Sequence, residues 1–159
     1  MTKKLAGICL TTIITAIAMN AADNSLGTWK RNIEKTKYDG TPPSNPITSL
    51  TAVREAADGG VKVTMKGTRK DGTAFDSSRV VKYDGKFHPV TGAGVVYDLS
   101  STKQVDANTF LFENKKSGGK YSTKGRTVIS SDGKTMTVTG KGTDEAGKPI
   151  SFTFVSDNQ

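Results

Sequence analysis

The sequence predicts an all-β chain that folds as a single antiparallel up-and-down barrel of about 8–10 strands after a cleaved leader. Three observations predict it. Apolar and polar residues alternate with period two over many short runs, as in Val61-Lys62-Val63-Thr64-Met65-Lys66. That period marks a strand with one buried face. The runs are separated by Asp-Gly and Gly-rich turns such as Asp71-Gly72, Asp84-Gly85 and Asp132-Gly133, which are the connections of antiparallel neighbours. Finally, no segment carries a sustained apolar pattern at helical spacing. Sequential hairpins without long crossovers favour an up-and-down barrel over a Greek-key sandwich, and closure removes exposed sheet edges.

The chain opens with Lys3-Lys4, an apolar run from residue 5 to 18, and Ala16-Ile17-Ala18, with Ala21 and Ala22 as later small residues. This is the pattern of a secretory signal peptide over residues 1–18, with cleavage as late as 22. The run is shorter than the ~20 residues of a membrane-spanning helix. The expectation is a periplasmic or secreted protein, with one barrel domain over residues 19–159. Cys9, the only cysteine, lies in the leader, so the mature chain has no disulfide, thiolate metal site or cysteine nucleophile. The formal net charge is +8 from 23 basic and 15 acidic side chains, and without Lys3 and Lys4 the balance is 21 against 15, or +6. No long run of Lys or Arg occurs, which argues against a nucleic-acid partner.

The first strand is read at Gly27-Thr28-Trp29-Lys30, which holds the only tryptophan. Trp29 is expected to plug one end of the barrel. A short helix is expected over residues 33–38. Thr41-Pro42-Pro43-Ser44-Asn45-Pro46 is a loop, because three prolines cannot sit inside a ladder. Strands are then expected over residues 47–55, 61–66, 75–83, 86–90, 95–105, 109–114, 120–130, 134–139 and 149–154. Pro149 is acceptable as the first residue of the last one.

Alternation places Val61, Val63, Met65, Val81, Tyr83, Val95, Tyr97, Leu99, Phe110, Phe112, Val128, Met136, Val138, Ile150, Phe152 and Phe154 on the inner face. Ser77, Gly140 and Gly142 dilute that face with small residues. Counting back from Tyr83 and Val81 puts Arg79 inside as well, where a charge needs a partner. Two readings stand. Arg79 meets a ligand carboxylate or phosphate with Tyr83 or Tyr97 beside it, or it lies at the mouth or pairs with Glu113 or Asp98.

The Gly27-Thr28-Trp29-Lys30 opening, followed by successive hairpins, resembles the lipocalin and fatty-acid-binding-protein superfamily of calycin-type barrels. The segments Lys82-Tyr83-Asp84-Gly85-Lys86-Phe87-His88-Pro89-Val90-Thr91-Gly92 and Ser131-Asp132-Gly133-Lys134-Thr135-Met136-Thr137-Val138 are similar to exported bacterial lipocalin-like proteins over most of the mature chain. The resemblance implies an apolar pocket inside the barrel. It also implies that Gly27 and Trp29 close the barrel, with a basic residue of a late strand across the tryptophan. Arg126 is the candidate for that cation–π lid. The chain departs from many secreted lipocalins in having no disulfide and in its Pro-rich first loop.

No catalytic constellation is present. His88 is the only histidine, which excludes a triad or a multi-histidine zinc site in the usual form. The aspartates sit mostly at turns, where they stabilise turn geometry. No metal site or cofactor is implied. The sequence therefore points to a non-enzymatic barrel binding a small apolar or amphipathic molecule, with Arg79, Tyr83, Tyr97, Phe110 and Phe112 as candidate ligand residues. The alternative is a filled barrel acting as a cell-envelope structural or interaction module through its basic surface.

Overall fold

The computed structural model describes residues 23–40 and 42–159. The leader and its cleavage sites lie outside the described residues. Ten strands follow one another: β1 (Gly27–Asp39), β2 (Ile47–Ala57), β3 (Gly60–Arg69), β4 (Ala74–Val81), β5 (Asp84–Pro89), β6 (Leu99–Asp106), β7 (Thr109–Lys115), β8 (Ser122–Ile129), β9 (Thr135–Thr143) and β10 (Pro149–Asn158). They form one antiparallel sheet in the order β4-β3-β2-β1-β10-β9-β8-β7-β6-β5. The meander curls until its first and last strands meet, with Trp29 opposite Asn158 and Tyr38 opposite Phe152. The fold is therefore the up-and-down barrel, nearly closed.

The seam lies between β4 and β5, the two ends of the sheet order. It is stitched by the chain that follows β5. The Ser78 amide donates to the Thr91 carbonyl at 2.8 Å, the Thr91 amide donates back at 3.1 Å, and the Asp76 amide reaches the Ala93 carbonyl at 3.0 Å. Gly92 permits this approach. Its φ is +138°, and a Cβ there would overlap the Asp76 carbonyl.

Three expectations are corrected. The short helix over residues 33–38 is not formed, and β1 runs on to Asp39. Asn32 pairs with Val155 and Lys37 with Thr153, so five steps along β1 match two along β10. The surplus forms a bulge held by Asn32, whose side-chain oxygen accepts the Lys35 amide at 3.1 Å and whose carbonyl accepts the Thr36 hydroxyl at 3.1 Å. A bulge breaks period two locally, and the strand continues through it. Next, β6 begins at Leu99 rather than 95. Residues 95–98 are loop, and Leu99 pairs with outward Lys115. Finally, the phase of β8 is shifted by one residue: Ile129 is 1% exposed and Val128 is 37% exposed.

The core is concentrated at the Trp29 end. One cluster joins Trp29, Phe110, Ile129 and Met136, and another joins Val61, Val63 and Val81, with Tyr83 packed against both. Leu26 closes over the second cluster. Further along the strands the inward Tyr38, Phe112, Ile150, Phe152 and Phe154 stay half-buried, although Leu50, Phe75 and Thr123 are closed off there. One end of the barrel is filled, and solvent reaches part of the interior beyond it.

Candidate functional site

Three arginines point into the barrel. On β1, Arg31 lies two residues after inward Trp29 and so shares its face. Arg54 of β2 and Arg79 of β4 flank Val63 of β3 in one row. Two strand spacings separate them, or ~10 Å between their Cα atoms. Burial pushes the Arg54 guanidinium below its ordinary pKa, and Arg79 adds to that push while Tyr83 and Asp23 oppose it. Burial likewise pushes Arg31 down to about 10, against the pull of Tyr38 and Tyr97.

Each of these arginines keeps a buried Nε–H with no hydrogen-bond partner among the described residues. Their hydrogen-bond and ring contacts are neutral, although the Asp23 carboxylate acts on Arg54 from nearby. Arg79 donates from Nη1 to the Tyr97 hydroxyl at 3.1 Å, and Arg54 donates from Nη2 to Ser25 Oγ at 2.9 Å. The Arg31 guanidinium lies 4.0 Å from the centre of the Phe154 ring. The ion pairs among the described residues are Lys116 with Asp98 and, when the imidazole is protonated, His88 with Asp84, neither of which includes these arginines. A guanidinium held in a partly desolvated interior without a carboxylate costs folding free energy. Ser77 Oγ and Asn114 Oδ1 are buried without partners as well.

Aromatic faces surround the cations. Tyr97 stacks on Tyr121 at 5.8 Å, Tyr38 meets Phe154 edge-on at 5.7 Å, and Phe152 stacks on Phe154 at 4.4 Å. The rings of Phe112 and Phe152 lie against Gly140, where a Cβ would run into both. Glycine in β9 thus makes room for two rings. Burial pushes the Tyr121 hydroxyl up to about 12, so it remains a neutral donor at physiological pH.

The candidate residues divide between two places. Arg79 and Tyr97 are joined by their hydrogen bond, and Phe112 lies in the half-open part. Tyr83 and Phe110, with ring centres 5.1 Å apart, belong instead to the filled end beside Trp29. The internal ion pairs weighed for Arg79 are not formed. Asp98 pairs with Lys116, Glu113 is on the outer face opposite Lys124, and the partner of Arg79 is Tyr97.

At the filled end Trp29 donates from Nε1 to the Ser25 carbonyl at 2.9 Å. Gly27, with φ +119°, lies beside Asn158 of the last strand. The lid expected from Arg126 is not formed. Arg126 is exposed and pairs with Leu111 and Thr139 on the outer face. In β8 the inward positions are Thr127 and Ile129, so Arg126 and Val128 both face outward. The floor is built from the segment before β1: Tyr83 donates to Asp23 Oδ2 at 2.6 Å and lies 3.3 Å from Ser25 Oγ.

The Tyr83–Asp23 bond has a pH signature. Desolvation raises the Asp23 pKa, but hydrogen bonds from Ser25 and Tyr83 and the nearby Arg54 charge outweigh it, so the net pKa falls below 3.8. A depressed carboxylate adds stability above its unfolded pKa and loses it as pH falls through the folded one. Tyr83 is raised, by desolvation first and the Asp23 bond second. Its contribution is complete below the unfolded pKa of 10.0 and is lost as pH rises through the folded value. Asp23→Asn is expected to cost about 1 kcal/mol at neutral pH. Urea midpoints of the two proteins should converge below pH ~4, whereas a gap independent of pH would contradict the assignment.

Sequence reasoning missed Arg31, Arg54, Asp23 and Ser25. Arg31 was legible, since it stands two residues from Trp29 in the same strand. Among the described residues no three His, Asp or Glu side chains gather as a metal site. His88 holds Asp84 at 3.0 Å and 3.1 Å across the β5 turn.

No family model matches the chain, and no curated protein matches it. Among solved structures, that of EF1p2_mFAP2b bound to DFHBI aligns with 87% of this chain and 97% of its own, at 11% identity and a TM-score of 0.47.

Proposed function

We propose that the barrel is a non-enzymatic binding protein for a small amphipathic anion, exported as its leader suggests. A carboxylate or phosphate head meets Arg31, Arg79 and the Tyr97 hydroxyl, with Arg54 deeper along the row. The apolar body lies along Phe112, Phe152 and Phe154. The observation that carries the proposal is the set of three inward guanidiniums, each with a buried, unpartnered Nε–H and none in a described ion pair. An anionic head supplies the counter-charge that the fold leaves out, through charge-assisted hydrogen bonds. The half-buried rings supply apolar area at roughly 25 cal/mol per Å².

Calorimetric titration with decanoate, decyl phosphate and uncharged decanol tests it. Both anions are expected to bind at a single site, and decanol at least about tenfold more weakly. Equal binding of decanol, or no binding of either anion, would contradict the proposal.

A further inference from the structure

The outer face of the barrel is not uniform. On β2–β4 each outward lysine has an acid directly opposite: Lys62 faces Glu55, and Lys66 faces Asp76. On β8 and β9 the outward Lys124 faces Lys141 on one side and Glu113 of β7 on the other, while Lys141 has Ser151 on its far side. Like charges directly opposite each other in a sheet are destabilising. Both lysines are exposed, and neither is in an ion pair among the described residues.

This pair sits in a groove of about 660 Å³ that also carries Lys103 and Arg126, with Glu113 as its acid. A second groove of about 790 Å³ continues it and shares Glu113, Lys124, Lys141 and Ser151. Four cations, spread from β6 to β9, and two carboxylates, Glu113 and Asp39, thus line the two adjoining grooves. Hydroxyls of Thr139, Ser151 and Thr153 lie between and beyond them.

We infer that this outer groove binds a linear anionic polysaccharide, with the Lys124–Lys141 pair bridged by its carboxylates. The charge pattern is complementary to a chain carrying regularly spaced acid groups. The interspersed threonine and serine hydroxyls suit a hydroxylated partner. Nucleic acid fits less well, because sequence-tolerant binding of a single strand needs open aromatic platforms. The groove's outward aromatic, Phe87, is 37% exposed with Lys115 Nζ 3.9 Å from its ring centre, and so offers a single platform rather than a series. A bilayer is flat, whereas this basic surface is recessed. The site lies on the opposite face of the sheet from the interior arginines.

Fluorescence anisotropy with labelled polygalacturonate at low salt tests the inference. Binding is expected, and Lys124→Gln with Lys141→Gln should weaken it about tenfold or more. The control pair Lys62→Gln and Lys66→Gln removes the same charge from the opposite face and should leave the affinity unchanged. Relief of the like-charge pair should let the Lys124→Gln/Lys141→Gln variant melt no lower than wild type, which separates lost binding from lost fold. Three results would overturn the inference: no binding of polygalacturonate, equal loss in both double variants, or tighter binding of a single-stranded oligonucleotide or of phosphatidylglycerol vesicles.

Discussion

Trp29→Ala is expected to lower the unfolding free energy by about 3–5 kcal/mol. Trp29 is 1% exposed and touches Phe110, Ile129 and Met136, which come from β7, β8 and β9. Truncation removes the side chain that ties these strands to β1, and it also orphans the buried Ser25 carbonyl that accepts from Nε1 at 2.9 Å. The cavity falls where β1 meets β10 to close the barrel, so the surrounding strands cannot collapse into it without breaking closure. Trp29→Phe restores most of the volume but not the donor, and should cost about 1–3 kcal/mol. Urea unfolding followed by far-ultraviolet circular dichroism measures both, with the midpoint moving and the slope unchanged. A loss below about 1 kcal/mol for the alanine variant would mean that the tryptophan is not the plug of a closed end.

Arg31→Met is expected to move stability in the other direction. Methionine keeps packing against Phe154 while removing a buried charge whose Nε–H has no described partner. The ligand-free protein should gain about 1–3 kcal/mol, in the manner of other interior charges replaced by apolar groups. The same change should weaken decyl phosphate by about tenfold or more, since a charge-assisted hydrogen bond is lost. Exposed Arg126→Met is the matched control and should stay within about 0.5 kcal/mol of wild type with unchanged anion affinity. A stabilised variant that binds less tightly is the signature of a residue kept for a ligand. If Arg31→Met is strongly destabilising and leaves anion binding intact, the arginine is structural.

Much of the fold was legible because a strand with one buried face repeats every two residues. The hairpins at Asp58-Gly59, Asp71-Gly72 and Asp132-Gly133 could be read directly from turn chemistry, and the β3 phase of Val61 and Val63 follows from simple alternation. Legibility failed where the pattern is locally degenerate. Residues 127–129 are Thr-Val-Ile, three β-branched residues in a row, so composition does not say which one faces inward. Arg126 shares the outward face of Val128, so the residue expected as a lid lies outside the barrel. In β1 the three extra residues of the bulge hid the strand's continuation, because a bulge resets the face on which each later side chain falls.

The site was harder to read than the fold. Arg79 could be reached by counting within its own strand. Arg54 could not, because β2 interleaves small and apolar residues on both faces, as in Ala52-Val53-Arg54. Outward Val53 is 36% exposed and looks as apolar as a core residue. What places Arg54 inside is its register opposite Val63 across the β2–β3 hairpin, which has to be carried over from the neighbouring strand. The joining of Tyr97 to Arg79 is a longer-range fact. Tyr97 enters from a loop after β5, where strand periodicity gives no direction.

The most direct test of the interior anion site follows the arginines themselves. Nuclear magnetic resonance of the Nε–Hε groups is recorded while decyl phosphate is added to the isotope-labelled protein. The resonances of Arg31, Arg54 and Arg79 are predicted to shift together and saturably, with Arg126 unmoved. If Arg126 shifts while the three interior signals stay in place, the anion is held on the outside of the barrel and the proposed function is wrong.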